Sequence, residues 1–284
     1  MEQRNIAEEI KYQIKNGKVT VRLIILNVIV FLLINASEFL NSIIGFNIHL
    51  DSFLAFKTSL EGLFFQPWGL FTSLITHVHL DHLFFNMLFL FFAGGMFEQI
   101  FGAKKLVICY VLSGVLGNLF ELVVSVLLPD FSPFHIVIGA SGSIMGIFAA
   151  VAIYRPQTPI YLFGIVPIPI YVLALFFFAK DLLGIGSEDS IAHFAHLGGA
   201  LMGFIVVQNV HSSSNVLNFV SHLFKPSQKK QKNSSVRFKT DDAYNEAKKN
   251  KQDRTDQILD KISKSGYESL TREEKDFLFN QGKQ

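Results

Sequence analysis

Long uninterrupted apolar runs constrain the fold of this chain more than any other feature of its sequence. Each run is about 20 residues long, the length that an α-helix needs to cross a hydrocarbon layer about 30 Å thick. Half of the 284 residues are hydrophobic and 30 are Phe, which is more apolar surface than a soluble domain of this length can bury. The sequence therefore predicts an all-α integral membrane protein.

Six apolar runs predict six membrane-crossing helices, near residues 20–40, 80–98, 105–128, 141–154, 160–180 and 192–209. A cleavable signal peptide is the alternative for the first run. That run is longer than a usual signal core, so we prefer an uncleaved helix. Pro167 and Pro169 lie in the fifth run and predict a loosened or kinked helix there.

The placement of positive charge predicts the orientation of the chain. Six crossings put both termini on one side, and that side then holds 23 of the 25 Lys and Arg residues, leaving Lys57 and Lys180 in the outer loops. This bias predicts cytoplasmic termini. We expect a multi-pass protein of a bacterial plasma membrane. The single cysteine, Cys109, excludes an intramolecular disulfide.

The chain is predicted to contain four segments. These are a cytoplasmic segment (residues 1–19), the membrane domain (20–210), an interfacial helix with a basic disordered linker (211–251) and a small cytoplasmic helical hairpin (252–284). The first outer loop, about residues 41–79, is apolar enough to lie partly in the membrane interface. The linker lysines Lys225, Lys229, Lys230 and Lys232 can contact anionic headgroups or form a solvated linker.

In the hairpin, Gly266 is a predicted helix stop, and Thr271 with Glu274 matches a capping box.

Polar side chains inside apolar runs are costly, so His82, Asn86, Glu98 and His196 are candidate functional residues. Hydrogen bonding between helices is the structural alternative. At 1.5 Å per residue, Ser141, His82, Asn86 and His196 lie about 18–24 Å above the inner boundary, at one shared level. A shared depth favours one polar site over unrelated structural residues.

Small residues predict that two of these helices approach closely. Gly142 and Gly146 in the fourth run, and Ala195, Gly199 and Gly203 in the sixth, follow small-xxx-small spacing. Ser141 and His196 can then come within hydrogen-bond distance, although such spacing also occurs for packing alone.

Ser141 stands in the string GASG, where a loop becomes a helix. Free N–H groups at a helix start can stabilise a developing negative charge. Ser143 is a rival hydroxyl, but it should point about 200° around the helix from Ser141.

Four strings, in this order, resemble the rhomboid intramembrane protease family over about residues 20–210. They are Trp68 with Thr72; His82 to Asn86 continuing to Gly94, Gly95 and Glu98; Gly139 to Gly142; and Ala195, His196 and Gly199 with Gly203.

The resemblance implies a six-helix bundle around a water-filled cavity, with Ser141 as nucleophile. His196 would be its general base, with no third carboxylate member. His82 and Asn86 would join the backbone N–H of Ser141 in an oxyanion hole. His77, Phe85 and Met145 match positions that line the cavity or the gate.

Two positions depart from the family pattern. Met145 stands where an aromatic residue often stacks on the histidine, and Gly69 stands where some members have Arg. The first departure puts the alignment of His196 in question.

The implied activity is serine-type endopeptidase cleavage of transmembrane segments near their outer end. Substrate access is expected between the second and fifth helices, near Phe85 and residues 176–178. The rivals are a non-cleaving binding protein of the same fold and a transporter. The expected partners are transmembrane protein substrates and the lipid bilayer, without nucleic acid, cofactor or metal.

A zinc site at His77, His79 and His82 is disfavoured because these residues do not share one helix face.

Overall fold

The computed structural model describes residues 6–45, 47–131, 136–162, 165–187, 191–223 and 241–281. The chain divides into two compact units, Met1–Lys225 and Pro226–Gln284. Both units are predominantly helical, so the predicted helical fold class is confirmed. Two short antiparallel strand pairs in unit 1 are an addition that the apolar pattern did not predict.

The helices of unit 1 are α1 (Ile6–Asn16), α2 (Val19–Ile44), α3 (Leu50–Leu54), α4 (Leu60–Phe65), α5 (Gly69–Thr72), α6 (Leu80–Phe89), α7 (Gly95–Phe101), α8 (Ala103–Leu127), α9 (Ser141–Tyr154), α10 (Ile170–Gly184), α11 (His193–Val207) and α12 (Val216–Leu223). A π-helical turn, Leu90–Gly94, joins α6 to α7 in one continuous helix. The strands are β1 (Phe56–Lys57), β2 (Ile136–Val137), β3 (Pro159–Leu162) and β4 (Val166–Pro169).

Three of these helices are long and apolar enough to cross a membrane, namely α2, the continuous helix Leu80–Phe101, and α8. The helices α9 and α11 are apolar but shorter, at 14 and 15 residues. Exposed Leu, Ile and Phe side chains cover the outside of the bundle. An apolar exterior of this extent is suited to lipid, and the chain is an integral membrane protein.

The segment between α2 and α6, predicted as the first outer loop, is folded into α3, β1, α4 and α5. Its chain reversal is held by Gln66, whose Nε2 donates to the backbone oxygens of Ser52, Phe53 and Ala55 at 2.8–3.0 Å. Trp68 adds a bond from its ring N–H to the Phe53 oxygen at 2.7 Å. The loop is therefore a built element and not a plain connector.

The predicted fifth helix, residues 160–180, is wrong at its start. The strands β3 and β4 pair in antiparallel orientation where its first part was expected, and α10 begins only at Ile170. Proline lacks an N–H group and fixes φ, so Pro167 and Pro169 favour an extended segment. Both prolines precede α10, with Pro169 at its N-cap, so the predicted kink within this helix is also wrong.

The predicted close approach of α9 and α11 is confirmed. A Cβ atom added at Gly199 would collide with the backbone oxygen of Gly142, and one at Gly203 would collide with that of Gly146. A Cβ atom at Gly142 would lie 3.2 Å from the Ala195 oxygen. Glycine at these positions allows backbone-to-backbone contact, as the small-xxx-small spacing predicts.

The predicted short helix after the sixth apolar run is present as α12. Its Leu217 side chain is fully buried, and Lys104 at the start of α8 donates to the Ser221 oxygen at 2.6 Å. The four lysines of the predicted basic linker lie outside the described residues.

Unit 2 is described over residues 241–281 and contains α13 (Asp241–Ser265) and α14 (Arg272–Gln281). The predicted helix stop is confirmed at Gly266, which has a φ of 76°. The predicted capping box is present, because the Thr271 N–H donates to Glu274 at 2.7 Å and the Glu274 N–H to the Thr271 hydroxyl at 3.3 Å. Residues 241–251, predicted to be disordered, are instead the first part of α13.

Candidate active site

Ser141 is the first residue of α9. Two sets of backbone hydrogen bonds hold the segment that precedes it. The pair of β1 and β2 joins the outer loop to this segment, and the Gly139 N–H donates to the Ser73 oxygen at 2.9 Å. Gly139 has a φ of 120°, a conformation that favours glycine. A Cβ atom there would lie 2.7 Å from the His82 ring, so this glycine also makes room for that imidazole.

His196 lies in the first turn of α11, where helix N–H groups have no intrahelical acceptor. Glu121 of α8 supplies one, because its Oε2 accepts the Ala195 N–H at 2.9 Å. The carboxylate is almost fully buried and fixes the start of α11 against α8. The position of the His196 backbone is therefore set by a hydrogen bond as well as by the glycine contacts.

The structure brings Ser141 and His196 together. The Ser141 Oγ lies 2.7 Å from the His196 Nε2. The His196 Nδ1 lies 2.9 Å from the Asp181 Oδ1 of α10, and the His193 Nδ1 lies at the same distance from the same oxygen. The expected absence of a carboxylate beside the histidine is thus contradicted.

Asp181 is absent from the predicted site because it lies one residue beyond the fifth apolar run, predicted as residues 160–180. Its 2% exposure places it inside the bundle. The signal that could have found it is an ionisable residue at the end of a lipid-length apolar run.

A cavity of about 910 Å³ opens beside Ser141 and His196. Most of the residues predicted for the site or the gate line it, namely His82, Phe85, Asn86, Ser141, Met145 and His196. The Asn86 side chain donates one N–H to the His82 backbone oxygen at 2.8 Å. An amide nitrogen carries a second N–H, which remains for a ligand.

Three other predicted residues lie elsewhere. His77 was expected to line the cavity, but it is fully buried and is not one of the lining residues, and its Nε2 accepts the Ala140 N–H at 3.4 Å. Glu98 caps α2, because its carboxylate accepts the N–H groups of Val19 and Thr20 at 2.8 and 2.9 Å. Ser143, the rival hydroxyl, is buried against Gly114 of α8 and faces away from the cavity.

Metal-ligating side chains form two groups in the part of the chain that the structure describes. Asp181, His193 and His196 bring three ligand atoms within 4.8 Å of one another, and Glu38, His49 and Asp51 do so on the surface. In the first group, the Nδ1 atoms of His193 and His196 are each hydrogen-bonded to the Asp181 carboxylate. His77, His79 and His82, the zinc site that the sequence disfavours, do not form such a group.

Aromatic rings stand between α6 and α10, where substrate access was expected. Phe89 of α6 contacts Phe177 of α10 edge-on, with ring centroids 5.1 Å apart, and Phe177 also contacts Phe148 of α9. Phe177 lines the cavity, whereas Phe176 and Phe178 are exposed on the outside of the bundle.

Comparison with known proteins gives two family matches. A family described as "Rhomboid domain" matches residues 65–213, just over half of the chain. A "Family of unknown function (DUF6576)" matches residues 239–281, within unit 2.

Three of the curated relatives that match are one plant protein and two bacterial proteins. RHOMBOID-like protein 12, mitochondrial, of Arabidopsis thaliana is 30% identical over an alignment of 148 residues, and the match covers 48% of this chain and 44% of the relative. Rhomboid protease GluP of Bacillus subtilis is 28% identical over 172 residues, 58% of this chain and 31% of the relative. Rhomboid protease AarA of Providencia stuartii is 32% identical over 154 residues, 49% of this chain and 54% of the relative.

These matches span about a third to a half of each relative's length. The family match begins in the outer loop and ends after α11, so it contains α6, α9 and α11 with the cavity side chains they carry. Because the match covers more than half of the residues, the chain belongs to the rhomboid family.

Proposed function

We propose that the protein is an intramembrane serine endopeptidase, with Ser141 as nucleophile and His196 as general base. The observation that carries this proposal is the 2.7 Å contact between the Ser141 Oγ and the His196 Nε2 beside a cavity of about 910 Å³. Two relatives are named rhomboid proteases, which supports the same reaction class.

In the proposed reaction, the hydroxyl proton of Ser141 moves to the His196 Nε2 while Oγ attacks the peptide carbonyl carbon. The carbonyl oxygen becomes an oxyanion, and the N–H group of Ser141, the His82 ring and the Asn86 amide donate to it. His196 then returns the proton to the leaving nitrogen as the C–N bond breaks. Water hydrolyses the acyl-enzyme by the same proton path.

The proposed substrates are transmembrane segments that unwind near their outer end. A helical peptide bond has its carbonyl hydrogen-bonded, so attack requires local loss of helix, which Gly, Pro and small residues favour. The proposed access route is lateral, between α6 and α10, past the contacting rings of Phe89 and Phe177.

We also propose six membrane crossings with both termini in the cytoplasm. The crossings are α2, the helix Leu80–Phe101, α8, α9, α10 and α11. The orientation rests on the placement of 23 of the 25 Lys and Arg residues on the inner side. Relatives occur in bacteria and in plant mitochondria, so a bacterial plasma membrane stays a prediction.

The test compares two serines that lie two residues apart. The purified full-length protein in lipid vesicles is given a reporter protein with one transmembrane segment. Replacing Ser141 by Ala is expected to lower kcat by about 10³-fold or more, because the nucleophile is lost.

The matched control is Ser143→Ala, which removes a hydroxyl that faces α8 and not the cavity. It should retain cleavage. Cleavage by the Ser141→Ala protein at the rate of the unmodified protein would contradict the proposal. If the unmodified protein and the Ser141→Ala protein both bind the reporter and neither cleaves it, the protein is a non-cleaving binding protein instead.

A further inference from the structure

Asp181 of α10 stands behind the His196 ring, on the side away from Ser141. Its carboxylate is 3% exposed, and its Oδ1 lies 2.9 Å from the His196 Nδ1. The histidine is thus held between two partners, with the carboxylate at one ring nitrogen and the hydroxyl at the other. This arrangement joins α9, α10 and α11 through side chains.

The chemistry of these groups fixes where the protons lie. An ionised carboxylate only accepts hydrogen bonds, so the Nδ1 of His196 must carry a proton to bond with it. In the neutral imidazole the other nitrogen then has a free lone pair. That nitrogen is the Nε2, which faces Ser141. The carboxylate therefore selects the tautomer that can accept the serine proton.

A second histidine holds the carboxylate in place. The Nδ1 of His193 lies 2.9 Å from the same Asp181 oxygen, and the His193 side chain is buried. Gly184, one turn after Asp181 on α10, makes room for this ring, because a Cβ atom there would collide with it. The carboxylate is thus oriented by a built pocket and does not swing freely.

The His196 ring needs such a support at this site. Met145, one turn after Ser141 on α9, lines the same cavity. A methionine side chain is flexible and has no flat face, so it does not fix the plane of an imidazole. The hydrogen bond from Asp181 fixes both the plane and the tautomer.

We propose that Asp181 is a positioning residue, whose carboxylate holds the His196 imidazole with its Nε2 directed at Ser141 and stabilises the imidazolium that forms when Ser141 loses its proton. This proposal rests on the proposed protease function. It assigns a third member to the Ser141–His196 pair, contributed by α10. In this role Asp181 acts through the His196 imidazole and not on the peptide bond itself.

The test uses two substitutions in the full-length protein in lipid vesicles. Asp181→Ala removes the acceptor and is expected to lower kcat by about 10³-fold while KM stays within about threefold, because substrate binding does not use this group. Asp181→Asn keeps the volume but removes the charge and adds an N–H donor, which can bond an unprotonated His196 Nδ1 and select the opposite tautomer. It is expected to lower kcat at least as much, by about 10³- to 10⁴-fold.

The matched control is Asp130→Asn, the same chemical change at an exposed carboxylate in the loop after α8. It should leave kcat within about twofold of the unmodified protein, as is usual for surface substitutions.

A readout that does not depend on cleavage is the tautomer of His196. Nitrogen-15 NMR of histidine-labelled protein should show a protonated Nδ1 in the unmodified protein, and this preference should be lost in Asp181→Ala. A purely structural role would lower activity without changing the tautomer.

The proposal is overturned if either folded variant keeps kcat within twofold of the unmodified protein, or if Asp181→Ala keeps the Nδ1 proton on His196. Should Asp181→Ala fail to fold, Asp181→Asn decides the question through its kcat and KM. Failure of the proposed function itself is distinguishable, since the unmodified protein would then show no Ser141-dependent cleavage.

Discussion

Beside Asp81, helix α6 presents two polar side chains to the cavity that can donate hydrogen bonds, His82 and Asn86. They are four residues apart and so lie one turn apart on one helix face. The His82 ring sits against Gly139, two residues before Ser141. Both residues line the same cavity as Ser141. Under the proposed mechanism they would donate to the oxyanion that forms after attack by Ser141.

Replacing Asn86 by Ala tests this role. We expect kcat to fall by about 10²- to 10³-fold, the usual effect of removing one oxyanion donor, with KM changed little. The measurement is cleavage of the reporter substrate at saturating and limiting concentrations. The control is Asn35→Ala on α2, because Asn35 makes the same local bond to the backbone oxygen four residues earlier but is exposed. An equal loss of kcat in both variants would refute an oxyanion role for Asn86.

At the residue scale, the sequence predicted the meeting of Ser141 and His196 but not its third partner. Depth along a helix follows from residue counting, so a shared level of polar groups is readable from sequence. Asp181 was not predicted because the expected fifth helix, residues 160–180, begins ten residues before α10 begins and ends four residues before α10 ends, just short of Asp181. His77 was misplaced for another reason, since sequence spacing does not reveal which loop side chains turn inward.

At the scale of elements, the distance between α9 and α11 controls the reactive pair. The two helices touch through backbone at Gly142 with Gly199 and at Gly146 with Gly203. Ser141 and His196 project from the same ends of these helices. A wider spacing would therefore lengthen the bond between the Ser141 Oγ and the His196 Nε2, now 2.7 Å.

Adding one methyl group at this contact should separate the helices. For Gly199→Ala we expect a loss of about 1–3 kcal/mol in unfolding free energy, typical of overpacking, together with a lower kcat. Thermal unfolding and reporter cleavage measure the two effects.

The control is Gly95→Ala on α7, where an added Cβ atom meets nothing within 4 Å. It should keep the stability or raise it slightly, because alanine is the better helix former. Unchanged activity and stability in Gly199→Ala would show that the helix contact does not set the geometry of the site.

Elements whose signal is local were predicted well, and elements that depend on tertiary contacts were not. The capping box of Thr271 and Glu274 and the stop at Gly266 arise from neighbouring residues, and both are present. The strands β3 and β4 are apolar, so their hydropathy resembles that of a helix. The two prolines of β4, Pro167 and Pro169, indicate an extended segment before a helix start, whereas the sequence analysis takes them to loosen or kink a helix.

At the scale of the whole molecule, the described site lies entirely in unit 1. Every residue that lines the cavity falls between His79 and His196. The last described helix of that unit, α12, is anchored by buried Leu217 and by the bond from Lys104 to Ser221. Unit 2 has its own internal contacts, including an ion pair of 2.9 Å between Lys261 and Glu274. The two units can therefore be separated experimentally.

A chain that ends after Lys225 should keep its peptidase activity. We expect kcat/KM for the reporter substrate to stay within about threefold of the full-length value, because no described residue of the cavity is removed and compact units usually fold independently. The full-length and shortened proteins are compared at equal amounts of folded protein in vesicles of the same lipid, each beside its Ser141→Ala form. A shortened protein that unfolds at the same temperature yet cleaves more than tenfold more slowly would show that residues 226–284 act on the site. Retained activity would instead assign unit 2 to a role outside peptide-bond cleavage.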